Sequence, residues 1–567
     1  MTARPLDAPD ARGARAQRLA TLPAETMAMT TRDGVRLDAD IYRPVGDGPF
    51  PVLLMRQAYG RRIACTLCYA HPRWYASHGY IVVVQDTRGR GTSEGVFTLG
   101  RDDAEDGAQS IAWAAALPGS NGRVGMYGFS YQGYNQFMAA SLAGPALRAL
   151  APAMAPWDPR EGWSHSQGAF RLQSSLGWAL QLAAETARHD GDAEAYTEIA
   201  RAAKALPLNE QRPAHPGVMD RYPEHSHYAT WRDTPRDHPY WQDISPAARV
   251  AAMAERRVPT LLVAGWYDSF LEGSLASWHA LQATRAAPVH LVVGPWGHFP
   301  WVRRQGALDF GPDADGGMDA LHVRWFDRWL KDEDNGVDHE APLRLFDLGR
   351  NAWQDFATWP HRTQSLYLSG TGLASLDTAD GNLRDHPDDA PGVDAVVTDP
   401  WRPAPSVGGA FGSPAGAVDR AATDTRGDVL TFTTPPFVAP LALAGDVTAE
   451  LHLEGDRPSF DIACTLSRVQ PDGKVIPLAE GYRHLPANEV PASPDAPVTV
   501  RLAATCVTLA PGQALRLSIA GAAFPAYALN PGTGEDPKTA ATANALVTTL
   551  GVHHGAARPS RLILTLA

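Results

Sequence analysis

Cysteine is nearly absent from this chain: Cys65, Cys68, Cys464 and Cys506 are the only four in 567 residues, too few for a disulfide framework to hold a molecule of this size. Cys65-x-x-Cys68 is half of a zinc or redox motif, but neither a second ligand pair nor a thioredoxin-like setting accompanies it, so no metal and no cofactor is expected. Also missing is any apolar run approaching the ~18 residues that a bilayer-spanning helix requires, so no membrane partner is expected. Positive charge is in deficit, 50 Lys and Arg against 62 Asp and Glu for a net charge of -12. Such a surface has no general attraction for phosphate backbones, which argues against nucleic acid. Residues 1–22 are rich in Ala and Arg without an apolar h-region, and read as a loose N-terminal extension (1–23) rather than a signal peptide, so the expected location is cytoplasmic.

What is present describes a multidomain globular protein. Hydrophobic residues make up 44% and charged residues 20%, ordinary values that exclude wholesale disorder, and the length suggests about three domains. From Val35 onward, short apolar runs alternate with helical stretches, the pattern of βαβ units and a mostly parallel sheet. Val52-Leu53-Leu54-Met55, Ile81-Val82-Val83-Val84 and Val124-Gly125-Met126-Tyr127 are unbroken, as strands covered on both faces should be. Residues 103–116 predict a helix with Ile111, Ala112 and Ala115 on its inner face, stopped by Pro118-Gly119.

Residues 156–246 change to Ala-, Arg-, His- and Trp-rich sequence with helical spacing and no strand, the pattern of an inserted helical cap. Buried-strand runs return in Thr260-Leu261-Leu262-Val263-Ala264 and His290-Leu291-Val292-Val293. A helix over 318–331 then turns Leu321, Trp325, Trp329 and Leu330 inward, so the first domain is expected over 24–155 and 247–355. Beyond this the period becomes two: Val447, Ala449, Leu451 and Leu453 alternate with Thr448, Glu450, His452 and Glu454, and Leu562, Leu564 and Leu566 repeat the pattern at the end. With the turn signal Pro471-Asp472-Gly473, residues 356–567 read as an all-β, jelly-roll-like domain.

Three residues just beyond strands carry the chemistry. Ser130 follows the strand ending Tyr127-Gly128-Phe129 and opens a helical stretch running to Leu142. A sharp strand-to-helix turn lifts a serine hydroxyl clear of the backbone, and the helix N-terminus favours a developing oxyanion. Asp268 ends the strand Leu261-Leu262-Val263-Ala264-Gly265-Trp266-Tyr267, and His298 follows Val292-Val293-Gly294-Pro295-Trp296-Gly297. Ser, Asp, His in that order, each past the carboxyl end of a strand, is the α/β-hydrolase arrangement. A serine hydroxyl needs a base, His298, to take its proton during attack and return it to the leaving group, and an acid, Asp268, to hold the imidazole in the useful tautomer. The Tyr131 amide is the natural first oxyanion donor, and Tyr59, in the loop after the strand ending at Met55, offers a hydroxyl as the second.

Gly128-Phe129-Ser130-Tyr131-Gln132-Gly133, Asp86-Thr87-Arg88-Gly89-Arg90-Gly91-Thr92-Ser93-Glu94-Gly95, Gly265-Trp266-Tyr267-Asp268, Gly294-Pro295-Trp296-Gly297-His298 and Phe524-Pro525-Ala526-Tyr527 together resemble the bacterial cocaine-esterase family, a group related to X-prolyl dipeptidyl peptidases and α-amino-acid ester hydrolases. The G-x-S-Y-x-G form accounts for a second glycine one residue later than in the common G-x-S-x-G elbow. The resemblance implies an α/β-hydrolase domain with a helical insertion and a jelly-roll-like C-terminal domain, the triad named above, and an oxyanion pair of the Tyr59 hydroxyl and Tyr131 amide. It also implies a substrate wall of Trp163, Trp178 and Phe270, with Phe411 the nearest match for a contribution from the C-terminal domain. The residues around Trp163, Arg160-Glu161-Gly162 and Ser164-His165-Ser166, are more polar than the cocaine-cleaving pattern, so cocaine itself is not implied.

The expected reaction is hydrolysis of a small-molecule carboxylic ester, or amide, through an acyl-enzyme, with room for a homodimer. The alternatives are release of X-Pro dipeptides or action on α-amino acyl groups, for which Asp158 and Glu161 are candidate anions, acyl transfer by the same intermediate, and a non-catalytic binding protein, against which the intact Ser, Asp and His set argues.

Overall fold

The computed structural model describes residues 18–63, 66–299, 301–315 and 317–567; most of the N-terminal extension and Cys65 lie outside them. Its first layer is a ten-stranded sheet in the order Glu25–Thr30, Arg36–Tyr42, Ile81–Asp86, Phe50–Gln57, Ser120–Phe129, Leu147–Ala153, Thr260–Tyr267, Val289–Gly297, Leu343–Asp347, Ala352–Phe356. The strands from Ile81–Asp86 to Leu343–Asp347 pair in parallel, and the edges are antiparallel. Helices cover the parallel strands, which explains why these read as continuous apolar runs. Every residue of Ile81–Asp86 and Thr260–Tyr267 is buried.

After Phe50–Gln57 the chain adds Ile81–Asp86 on one side and then Ser120–Phe129 on the other. The order reverses there, and an open α/β sheet leaves a crevice beyond the carboxyl ends of the two strands flanking such a reversal. Ser130 is the residue immediately beyond one of those ends, and Tyr59 is the second residue beyond the other. The helix Asp103–Ala115 buries Ala104, Gly107, Ile111 and Ala114 rather than the expected Ala112 and Ala115. Ala112 lies a further 100° round the helix from Ile111, so the i, i+3, i+4 series through 104, 107, 111 and 114 wins the inner face.

Between Leu147–Ala153 and Thr260–Tyr267 the chain forms helices Leu172–Asp190, Ala193–Lys204, Gly217–Arg221, Tyr228–Asp233 and Tyr240–Asp243. Leu172, Leu176, Ala179, Leu180 and Ala183 of the longest of them pack on Ile199 and Tyr228. That helix ends as its sequence dictates, on Gly191 at φ 79°, whose N–H reaches back to Ala187 and Arg188. A small hairpin, His165–Ser166 with Ala169–Phe170, precedes it. Two-residue strands are too short to show a period, so this hairpin departs from the strandless insertion that the residues predict.

The C-terminal third is all-β. Eleven strands from Arg362–Ser369 to Arg561–Leu566 make one hydrogen-bonded network, and the expected turn at residues 471–473 joins Phe460–Val469 to Val475–Leu485. One apolar core runs without a break from the parallel sheet through Leu348, Trp353 and Leu366 into Leu451, Leu517 and Leu564. At that junction the buried Asp347 carboxylate accepts from the amides of Gly349 (2.8 Å), Arg350 (3.0 Å) and Thr508 (2.8 Å) and from the Thr508 hydroxyl (2.5 Å), tying the last parallel strand to the β domain. Among the described residues, no helix is long and apolar enough to cross a membrane.

Candidate active site

Ser130 sits at φ 59°, ψ -127°, between the strand Ser120–Phe129 and the helix Tyr131–Leu142. Such a backbone costs on the order of 1–3 kcal/mol for a non-glycine residue, and persists only where the surroundings over-determine it. Two glycines do so. A Cβ at Gly128 would lie 2.6 Å from the Gln132 Cβ, and one at Gly133 would lie 2.7 Å from the Ala155 Cβ, so the helix closes on the strand only without those side chains. The Ser130 amide is spent on Ala153 O (2.9 Å), which leaves its hydroxyl free to face the strand ends.

Two other strands deliver its partners. Asp268, its side chain fully buried, lies just past Thr260–Tyr267, and His298 lies just past Val289–Gly297. His298 Nδ1 is 2.8 Å from Asp268 Oδ1 and His298 Nε2 is 3.0 Å from Ser130 Oγ. These side chains, 30 and 168 residues from the histidine in sequence, thus form one hydrogen-bonded line. With Nδ1–H donating to the carboxylate, Nε2 faces the serine as an acceptor. Phe129 and Phe270 flank the imidazole at 5.6 and 5.3 Å, and Trp301 donates to the His298 carbonyl (3.1 Å).

The Tyr131 amide is the first of its helix and has no carbonyl partner within it. Its side chain is anchored: the phenol donates to Asp103, which Arg56 holds at 3.2 Å, and accepts from Gly100 N (3.3 Å). Tyr59 accepts a hydrogen bond from the Trp178 indole (3.1 Å) and lies beside Ser130. An oxygen that already accepts from an indole has its own proton to offer to the space above the serine. Burial raises the Tyr59 phenol above its ordinary range, so it is a neutral donor at physiological pH.

Trp163, Trp178 and Phe270, which the resemblance implies as a substrate wall, lie in one aromatic cluster with Tyr59 and Tyr131. Trp163 lies 5.0 Å from Trp178, 5.6 Å from Phe270 and 4.8 Å from Trp231. Phe411 is not part of that cluster. It packs against Tyr527 at 6.1 Å, under the Arg171 guanidinium at 4.4 Å, beside a cavity of about 200 Å³ that Asp268, Ser269 and Glu272 also line. The acids considered for binding an ammonium are engaged with backbone. Asp158 accepts from Arg160 N (2.8 Å) and Glu161 N (3.1 Å), and Glu161 accepts from Gln167 N (2.6 Å).

Two contributions escaped the sequence reading. Trp178 was seen only as a wall, whereas its indole orients Tyr59. The Asp86 to Gly95 motif was seen without a role. Asp86 takes the Arg61 amide (2.6 Å) and guanidinium, fixing the loop two residues beyond Tyr59, and a Cβ at Gly91 would lie 2.0 Å from its Oδ2. An acid followed by closely spaced glycines after a buried strand is the signal that pointed to such a tight loop. Of the Cys pair, Cys65 lies outside the described residues. Burial, with the charges of Asp268 and Asp319, pushes the Cys68 thiol up to about 12.

Comparison with known proteins follows the same division of the chain. The X-Pro dipeptidyl-peptidase (S15 family) model matches residues 33–300, and the X-Pro dipeptidyl-peptidase C-terminal non-catalytic domain matches residues 335–563. The cocaine esterase of Rhodococcus sp. (strain MB1 Bresler) is 31% identical over 95% of this chain and 98% of its own. A Mycobacterium bovis protein bearing the name serine esterase is 26% identical over 89% and 91%. Among solved structures, an aminopeptidase from a marine sediment Thaumarchaeota archaeon superposes with a TM-score of 0.77 (24% identity, 96% of both chains). An α-amino acid ester hydrolase does so with 0.74 (24% identity, 99% of both). These two likenesses concern the fold: an α/β-hydrolase-type domain followed by an all-β domain. By its likeness to the Rhodococcus enzyme along nearly the whole of both sequences, the chain belongs to the cocaine-esterase family and is a serine hydrolase.

Proposed function

We propose that this enzyme hydrolyses carboxylic esters of aromatic or other bulky apolar acids through an acyl-enzyme on Ser130. The observation that carries the reading is the line Ser130 Oγ, His298, Asp268 Oδ1, with its two hydrogen bonds of 3.0 and 2.8 Å. Ser130 Oγ attacks the acyl carbon while its proton passes to His298 Nε2, and the carbonyl oxygen takes the negative charge. The Tyr131 amide and the Tyr59 hydroxyl receive that charge. Collapse of the tetrahedral intermediate breaks the ester C–O bond, and the alcohol leaves with the proton from His298. Water, deprotonated by the same imidazole, then attacks the acyl-serine and restores the hydroxyl. Asp268 stays ionised throughout and stabilises the imidazolium.

Residues 156–246 act in this reading as a cap over the acyl pocket, the hydrolase domain being 24–155 and 247–355, and residues 356–567 are a jelly-roll-like support. Preference for an apolar acyl group rests on the Trp163, Trp178 and Phe270 wall and on the engagement of Asp158 and Glu161 elsewhere. An aminopeptidase-like enzyme needs an unengaged anion for a free ammonium, whose desolvation is otherwise costly. The test is the ratio of kcat/KM for an N-blocked aromatic amino-acid ester to that for its free-amine form. A ratio of about 10 or more is expected from the unpaired cation, worth ~1.4 kcal/mol. A ratio below one would overturn the apolar-acyl reading in favour of amino-acyl recognition.

A further inference from the structure

Arg90 lies in the loop after Ile81–Asp86 and is 2% exposed, yet among the described residues it forms no ion pair. Its Nη1 donates to Leu182 O (3.2 Å), its Nε is buried with no acceptor, and its guanidinium lies 3.9 Å from the centroid of the Phe97 ring. Glu185, on the same helix as Leu182, pairs with Arg188 (3.0 Å) instead. A charge taken out of water without a directly paired counter-ion is expensive, and Glu185 and Asp190, whose charges reach Arg90, form no ion pair with it.

The neighbours of Arg90 lead to both proposed oxyanion donors. Phe97 packs at 5.7 Å on Tyr131, and Leu182 is one helical turn from Trp178, the residue whose indole holds Tyr59. Other charges around this space are cancelled or suppressed. Asp103 is paired with Arg56, and burial, with the charge of Arg90 added, draws His227 down to about 3 and so keeps it neutral. Arg90 itself is lowered by burial to about 10 and stays protonated at neutral pH.

We infer that Arg90 is a positioning charge behind the oxyanion hole, a fixed cation that favours negative charge on the acyl oxygen through Tyr59 and Tyr131 without touching the substrate. The inference rests on the acyl-enzyme reading and adds to it a residue outside the triad and the oxyanion donors. In a buried, water-poor site a fixed charge acts over a longer range than in solvent and needs no reorganisation when the substrate's charge develops.

The test uses the full chain with a neutral aromatic ester in four forms: wild type, Arg90→Gln, Arg90→Lys and Ser130→Ala. An arylboronic acid is added as a second probe. It forms an anionic tetrahedral adduct when Ser130 Oγ donates an electron pair to boron and the serine proton passes to His298. Arg90→Gln is expected to lower kcat about 10- to 100-fold with KM within about threefold, and to weaken the boronate by a similar factor, because only charged states lose stabilisation. Arg90→Lys, which keeps the charge and loses the Leu182 contact, is expected to retain at least about a fifth of wild-type kcat. A folded Arg90→Gln with unchanged kcat and boronate affinity, or one in which KM alone rises, would overturn the inference. So would a folded Arg90→Lys that retains less than about a fifth of wild-type kcat, which decides the matter if the glutamine variant does not fold. Turnover surviving in Ser130→Ala would instead sink the acyl-enzyme reading, whereas turnover lost there with Arg90→Gln unaffected would sink the Arg90 inference alone.

Discussion

Ser130→Ala is expected to cut kcat for an aromatic ester by a factor on the order of 10⁶, with the fold intact. The size follows from the role. Without Oγ no acyl-serine forms, and only the oxyanion donors and the pocket remain to act on a directly attacking water. The fold should survive because Oγ bonds the His298 ring, while the backbone bonds of this turn, Ser130 N to Ala153 O and Tyr134 N to Ser130 O (both 2.9 Å), do not involve it. Alanine tolerates φ 59° no better and no worse than serine. Steady-state kinetics with a thermal melt check both halves, and a melting temperature within a few degrees of wild type is the expected companion result.

Asp268→Asn should follow at about 10⁴-fold in kcat. The carboxylate accepts from His298 Nδ1–H at 2.8 Å, which leaves Nε2 unprotonated toward Ser130. A carboxamide in the same place satisfies the ring equally well by donating to Nδ1, and the proton then resides on Nε2, where it blocks proton abstraction from the serine. The substitution also removes the negative charge that stabilises the imidazolium. Because the acyl pocket is untouched, KM should change by less than about threefold, the signature of an interaction made only in the transition state. An Asp268→Asn enzyme with kcat within tenfold of wild type would show that this acid does not orient the base.

The positions of these three side chains were readable because a doubly covered parallel strand announces itself as an unbroken apolar run. The residue just past its carboxyl end then falls on the one face of the sheet where loops gather. Val289–Gly297 followed by His298 is such a case. What was not readable is whatever depends on side-chain direction rather than on position along an element. Trp178 and Leu182 share a helix face, and nothing local says that one indole bonds Tyr59 while the other residue's carbonyl receives Arg90. Phe411 was placed by likeness of its surroundings, but the fold sets it on Tyr527 beneath Arg171, outside the Trp163 cluster. The shift from Ala112 to Ala114 on the inner face of Asp103–Ala115 has a plainer cause. Alanine is apolar enough to be read as core on any face, so a helix rich in it does not declare its orientation.

A serine made reactive by its place in the fold is open to covalent capture. An aryl fluorophosphonate transfers its phosphonyl group to such an oxygen, with the serine proton taken by His298 and fluoride released. Peptide mass analysis after exposure of the whole enzyme is expected to find one phosphonyl group per chain, on Ser130, with activity lost in proportion and Ser130→Ala unlabelled. Full labelling of Ser130 with activity retained, or inactivation accompanied by a label on another residue, would contradict it.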